Sequence, residues 1–241
     1  ESAFRGFLDP SFISNMLNAI TTQNLDLHES DPSFKPASGS YGSAHMSDKM
    51  KMHRPLHMGE PLTITTVAHR HTAHPKGSVK TSNFQVADAA GVTVLSIERQ
   101  VLQLAESPSA VATGRSTSGP AQPASLSGSE YVSTTAMTPD MVAGYCWFVT
   151  NRIHNEVETA NAFGYQLPIW AGTQGMHIVL AHLFSLGVPQ TLTATFTFKR
   201  PVFWTDTLEV RRAQIAQARS MCVRGCGVLH NTHSSLIRMS Q

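Results

Sequence analysis

Between Val149 and Gly172 the chain assembles residue types that can move a proton beside a carbonyl group. Asn151, His154 and Glu156 follow one helix-like segment, and Gly164-Tyr165-Gln166-Leu167-Pro168-Ile169-Trp170-Ala171-Gly172 leads into another. An imidazole titrates near neutrality, so His154 can take a proton and return it. A glycine at a helix start lets a substrate oxygen approach free backbone N–H groups at the positive end of the helix, so Gly172 can hold a developing oxyanion. Asn151 can donate to a substrate oxygen, or it can close an Asx turn. Arg152 can bind an anionic group or polarise a carbonyl, the alternative being a solvated loop arginine. Tyr165 and Trp170 can line a pocket for a ring or an acyl chain, or they can be plain core. The expected catalytic set is therefore His154, Asn151 and Gly172, with Arg152, Trp170 and Tyr165 as substrate contacts.

These residues need elements to position them. Thr138-Pro139-Asp140 reads as a helix start, with Thr at the cap, Pro in the first position and an acid in the first turn. Met141, Val142, Tyr145, Cys146 and Val149 then form an apolar stripe. A short helix is expected over Glu156–Phe163, ending at Gly164. A long helix is expected over Ala171–Leu186, followed by a strand over Thr191–Phe198.

Arg54-Pro55 recurs as Arg200-Pro201, and Leu62 as Leu208, at an offset of 146 (201 − 55 = 146). After each copy come runs with strand-like alternation. In the first copy these are Leu62–Ala73, Ser78–Ala87, a turn at Asp88–Gly91, and Val92–Leu104. In the second they are Leu208–Ala218, Met221–Leu229, a turn at His230–His233, and Ser234–Met239. The repeat implies two similar units packed as a pseudo-dimer. The expected division is residues 1–105, a Ser/Pro/Gly-rich surface linker over 106–129, and residues 130–241. Leu25–Lys51 reads as irregular, and Phe12–Ile20 as only a weak, shortened or displaced counterpart of the long helix.

Composition removes several classes. The 241 residues are 41% hydrophobic and 14% charged, which describes a packed protein with a sizeable core. The net charge is +2 and no basic run interleaves with aromatics, so nucleic acid is not an expected partner. No apolar run approaches the ~20 residues of a membrane span. Three cysteines, Cys146, Cys222 and Cys226, do not make a disulfide framework and point to a reducing compartment. Cys146 lies on the apolar stripe and reads as a buried small hydrophobe. On one strand, Cys222 and Cys226 would stand ~13 Å apart, too far to share a zinc ion. His69 and His71 share a strand face, read as a surface face. No metal or cofactor is expected.

The pattern Asn151, His154, Glu156, Ala160, Gly164-Tyr165, Pro168-Ile169 and Gly172 resembles the signature of the MaoC-like hot-dog family, which holds the R-specific enoyl-CoA hydratases and related dehydratases. Arg200-Pro201-Val202-Phe203 and Asp206-Thr207-Leu208 resemble that family's strand after the central helix. The resemblance implies an α+β double hot-dog, in which each unit's antiparallel sheet wraps a central helix and the N-terminal helix is reduced. It implies a hydro-lyase acting on an acyl thioester or related carbonyl compound, with a paired acid and imidazole adding or removing water. Here the family's Asp falls on Val149, its Pro on Arg152 and its His before Gly on Ala171. That altered acid/base set points to a specialised dehydration, isomerisation or cyclisation of a polyketide-like molecule, the alternative being a binding or assembly module without catalysis. A hot-dog thioesterase ranks last, because Ala171–Leu186 carries no carboxylate. The expected assembly is a homodimer, and the expected compartment is the cytoplasm, with the peroxisome as the alternative.

Overall fold

The structure is a computed structural model and describes residues 3–23, 43–104, 129–146, 152–162, 165–215, 218–224, 228–231 and 235–238. Asp9 caps the first helix, α1 (Pro10–Gln23): its Oδ1 accepts the Ser11 N–H at 2.8 Å, and Pro10 takes the first helical position. Four antiparallel strands follow, β1 (Ser43–Met52), β2 (Thr63–His74), β3 (Gly77–Ala87) and β4 (Thr93–Leu104). The second unit runs β5 (Ser129–Ala136), α2 (Pro139–Tyr145), a 3-10 turn (Arg152–His154), α3 (Val157–Ala162) and α4 (Gly172–Ser185). It continues through β6 (Leu192–Thr197), β7 (Thr207–Ile215), β8 (Ala218–Arg224), β9 (Val228–Asn231) and β10 (Ser235–Arg238). The sheet orders are β2-β3-β4-β1-β6, β5-β7-β8 and β10-β9. β9 lies beside β6, and β10 beside β8.

The two units meet on β1 and β6, which pair antiparallel from Ser47↔Thr197 to Met52↔Leu192. In that ladder Lys49 faces Thr195, and these positions are 146 apart, the offset of the sequence repeat. Equivalent residues facing each other in an antiparallel pair mark a pseudo-two-fold axis. The same symmetry recurs in the backbone. Leu8 N–H donates to the Leu56 carbonyl at 2.7 Å, and Trp170 N–H to Val202 at 2.8 Å. Phe7 bridges His57 as Ile169 bridges Phe203. His57 N–H meets Glu60 Oε1 at 2.8 Å, and Phe203 N–H meets Asp206 Oδ2 at 2.8 Å. By this correspondence Pro10 is the counterpart of Gly172, and Asp9 that of Ala171.

α1 and α4 pack against one another, and both spans are 14 residues long. The core is built from their buried faces, with Leu17, Met176, Leu180 and Phe184 lying in one cluster with Met50, Met52, Phe196 and Leu208 of the strands. The first unit's helix is therefore neither shortened nor displaced. The apolar spacing at Ile13 and Leu17 is sparse because Ser11, Ser14 and Asn15 share the buried face.

β1 is the second correction. Ser43–Met52 is strand, although Leu25–Lys51 was expected to be irregular. Asp48, Met50 and Met52 are fully buried while Lys49 and Lys51 are exposed, so the alternation was present but carried an acid on its inner side. That acid is satisfied. Arg99 Nε donates to Asp48 Oδ1 at 3.0 Å and its guanidinium meets Oδ2 at 2.9 Å; His45 Nε2 lies 2.7 Å from Oδ1, and the Ser14 hydroxyl donates to Oδ2. Burial opposes its charge, but Arg99 and His45 hold its carboxyl well below the usual carboxylate range. In the second unit, the single strand expected over Met221–Leu229 is two elements, β8 and β9, and His230 and Asn231 end β9 instead of turning. The linker at 106–129 falls almost wholly outside the described residues, as does Cys226.

Removing one partner of a buried pair strands the other charge, at a cost of ~3–5 kcal/mol. Asp48→Ala is therefore expected to lower the urea unfolding free energy by that much. A loss below about 1 kcal/mol would show that Arg99 reaches water in the folded state.

Candidate functional site at the start of the second central helix

Thr138 caps α2 as its sequence suggests, its hydroxyl accepting the Met141 N–H at 3.3 Å. Of the apolar stripe on that helix, Val142 and Cys146 are buried and Met141 is exposed. Burial pushes the Cys146 thiol up to about 11, so it is no nucleophile near neutrality. Val149, Asn151 and Gly164 lie outside the described residues.

His154 ends the 3-10 turn and is 9% exposed. Its Nδ1 lies 2.7 Å from the Ile169 carbonyl oxygen. A carbonyl only accepts, so Nδ1 carries the hydrogen and Nε2 keeps the lone pair. Burial depresses the imidazole's pKa below its ordinary value, partly offset by the Ile169 hydrogen bond. The ring is thus a neutral base with a fixed tautomer. Its backbone is pinned on both sides: the Ile169 N–H donates to the Ile153 carbonyl at 3.1 Å, and the Trp204 indole N–H to the His154 carbonyl at 3.0 Å. Ile169 is three residues before Gly172, so the contact that fixes the tautomer also ties His154 to the chain entering α4.

Gly172 is the first residue of α4, and its N-cap, Ala171, has no side chain to bond the first-turn N–H groups. The glycine has a packing reason as well. A Cβ placed there would lie 3.0 Å from two atoms of the Phe198 ring. Phe198 in turn stacks against His45 of the first unit, ring centroids 4.6 Å apart.

The expected substrate contacts separate. Arg152 points away from the core: its side chain is 71% exposed and pairs with Glu156 at 3.3 Å. In this structure it is the solvated loop arginine of the two readings. Trp170 is 4% exposed and belongs to the core cluster, yet its indole Nε1 is buried with no hydrogen-bond partner among the described residues. The Gln174 Oε1 and Tyr145 hydroxyl share that condition. Tyr165 is half-buried, its N–H bonded to the Ala160 carbonyl at 3.0 Å, and burial raises its phenol pKa. The structure thus gathers His154, Ile169, Trp170 and Gly172 and sets Arg152 outside. His69 and His71 are exposed with rings 6.2 Å apart, as a surface face requires. An open cavity of about 340 Å³ lies elsewhere, on the first unit's sheet between Lys49, Lys51, Gln85 and Glu98.

Sequence reasoning missed Trp204, Phe198 and a polar cluster joining the two helix starts. Asp9 Oδ2 lies 2.5 Å from His177 Nδ1, and Tyr145 and Thr173 stand beside them. The Asp9-Pro10 cap signal was legible, but its meeting with α4 is set by tertiary packing.

Two expectations follow. In Gly172→Ala the added methyl must displace the Phe198 ring, so overpacking of ~1–3 kcal/mol should outweigh the gain in helix propensity. The urea midpoint should fall, and an unchanged midpoint would mean that the ring yields freely. For His154 the folded pKa lies below the unfolded one, so the unfolded chain binds more protons as pH falls through about 6.5. Its contribution to stability is present above that pH and lost below. The melting temperature should drop between pH 7.5 and 5.5, and drop less in His154→Gln.

No protein-family model matches the sequence, and no curated protein matches it. Solved structures do. HtdX from Mycobacterium tuberculosis is similar at a TM-score of 0.69 and 16% identity, over 91% of this chain and 84% of that one. A MaoC-like dehydratase from Phytophthora capsici gives 0.57 and 18%, over 85% and 70%. A conserved hypothetical protein of Mycobacterium tuberculosis, described as having a double hot-dog fold, gives 0.53 and 13%, over 96% and 80%. The resemblance read in the signature residues is met again at the level of architecture: the chain is a double hot-dog protein.

Proposed function

We propose that the protein is a hydro-lyase of the hydratase/dehydratase type acting on an acyl thioester or a related carbonyl compound. The observation that carries this reading is the His154 Nδ1–Ile169 carbonyl hydrogen bond of 2.7 Å. It turns Nε2 into a base of fixed tautomer at the entry to an uncapped helix N-terminus. In hydration the Nε2 lone pair takes a proton from water as the water oxygen bonds to carbon 3. Charge develops on the thioester oxygen, where the first N–H groups of α4 stabilise it, and carbon 2 then takes a proton from a second acid. Dehydration is the reverse. Asn151 orients the substrate in this reading, and Trp170 Nε1 and Gln174 Oε1, two residues either side of Gly172, are buried without a hydrogen-bond partner among the described residues. Two of the similar structures are MaoC-like dehydratases, which supports this reading. The absence of an acid at Val149 supports a specialised substrate, such as a polyketide-like intermediate, over a simple enoyl chain.

A second reading, a binding module without catalysis, is favoured by one observation. Phe198 lies against Gly172, where a substrate oxygen would approach.

The test is His154→Ala against the wild type on crotonyl-type thioesters and on ring-bearing carbonyl compounds. Loss of an acid/base group commonly lowers the rate ~10²–10⁴-fold, and that loss in kcat is expected. Equal turnover in both proteins would remove His154 from the reaction. Thermal stabilisation by a thioester that neither protein converts would favour the binding module.

A further inference from the structure

The first unit places a carboxylate beside the second unit's central helix. Asp9, N-cap of α1, occupies the symmetry position of Ala171, and its side chain crosses to the other helix. His177 of α4 places Nδ1 2.5 Å from Asp9 Oδ2. The Ser11 hydroxyl meets the same oxygen at 2.5 Å, while Oδ1 accepts the Ser11 N–H at 2.8 Å. A carboxylate accepts, so His177 Nδ1 carries the hydrogen and Nε2 is the nitrogen left to release or take up a proton, as in any imidazole oriented by an acid. Asp9 is largely shielded, its side chain 12% exposed, whereas the His177 side chain is 42% exposed. The fixed carboxylate is inside and the working nitrogen can be reached.

The Tyr145 ring centroid is 6.2 Å from that of His177, and its hydroxyl faces Thr173 and Ser11. That hydroxyl is buried beside those two hydroxyls. Thr173 and His177 are four residues apart on α4 and so share a face. Thr173 follows Gly172 directly, and His177 lies ~8 Å further along the axis, five residues at 1.5 Å each.

We propose that Asp9 and His177 form a second carboxylate–imidazole dyad, assembled across the two units, that serves as the other proton-transfer group of the site at the α4 start. This rests on the hydro-lyase reading of that site. In the hydration direction His154 Nε2 takes a proton from water as the water oxygen bonds to carbon 3. The carbon–carbon π pair moves to the thioester oxygen at the α4 N–H groups. The enolate then collapses as carbon 2 takes a proton from protonated His177, and exchange with solvent returns both rings to their starting states. His177 is the catalytic group and Asp9 its positioning residue.

The experiment compares Asp9→Asn, His177→Ala and His154→Ala with the wild type, measuring kcat and KM for hydration of a crotonyl-type thioester and the melting temperature. Asparagine caps helices as well as aspartate does, so Asp9→Asn should melt near the wild type. It would favour the wrong His177 tautomer, and kcat should fall at least tenfold with KM little changed. His177→Ala should lose at least a hundredfold, and added imidazole should restore part of it, which a purely structural role would not allow. If His177→Ala and Asp9→Asn stay within twofold of the wild type while His154→Ala is inactive, the dyad is overturned and the hydro-lyase reading stands. The converse pattern keeps the dyad and removes His154. A wild type that neither hydrates the thioester nor exchanges the carbon 2 hydrogens of the matching 3-hydroxyacyl thioester with deuterated solvent overturns both.

Discussion

The antiparallel pairing of β1 with β6 is the contact on which the rest depends. It brings Lys49 opposite Thr195, joins the two units through one ladder, and thereby fixes α1 against α4. An edge strand in either unit alone would present a row of unpaired backbone groups. Fusing the units removes that edge and sets both helix starts in a relation that neither half could specify. Phe198, at the end of β6, then reaches both Gly172 of its own unit and His45 of the other.

The symmetry is informative where it fails. The backbone hydrogen bonds leading into each helix are reproduced almost atom for atom, but the side chains diverge. The first unit buries Ser14, Asp48 and Arg99 where its partner is apolar at Met176 and Ala194. The first unit's helix begins Asp9-Pro10, a self-sufficient cap, while the second begins Ala171-Gly172 with no side-chain cap at all. One helix start is closed by its own carboxylate. The other has no side-chain acceptor on its first turn among the described residues, which is a condition for binding an oxyanion there.

His154 shows how burial and a single hydrogen bond together define a chemical role. Desolvation keeps the ring neutral, and the Ile169 carbonyl decides which nitrogen holds the hydrogen. Together they leave a lone pair on Nε2 in a segment whose backbone is held by Ile169 and Trp204.

The first unit's strands β2 to β4, the α2 cap and the span of α4 were legible because their signals are local. Alternation, a Thr-Pro-Asp start and turn residues act within a few positions. The signature at Asn151 to Gly172 was legible for the same reason, and with it the fold class. What escaped were features whose meaning lies in a distant partner. β1 carries Asp48 on its inner face, which reads as a break until Arg99 stands opposite. α1 looked weak because its buried Ser14 and Asn15 are satisfied by groups far off in sequence. Arg152 looked like a substrate contact until its exposure and Glu156 placed it in solvent. By itself the chain determined periodicity, caps and the types of group available. Tertiary structure alone decided which carboxylate faces which imidazole, because that pairing spans 168 residues and is set by how two sheets share a seam.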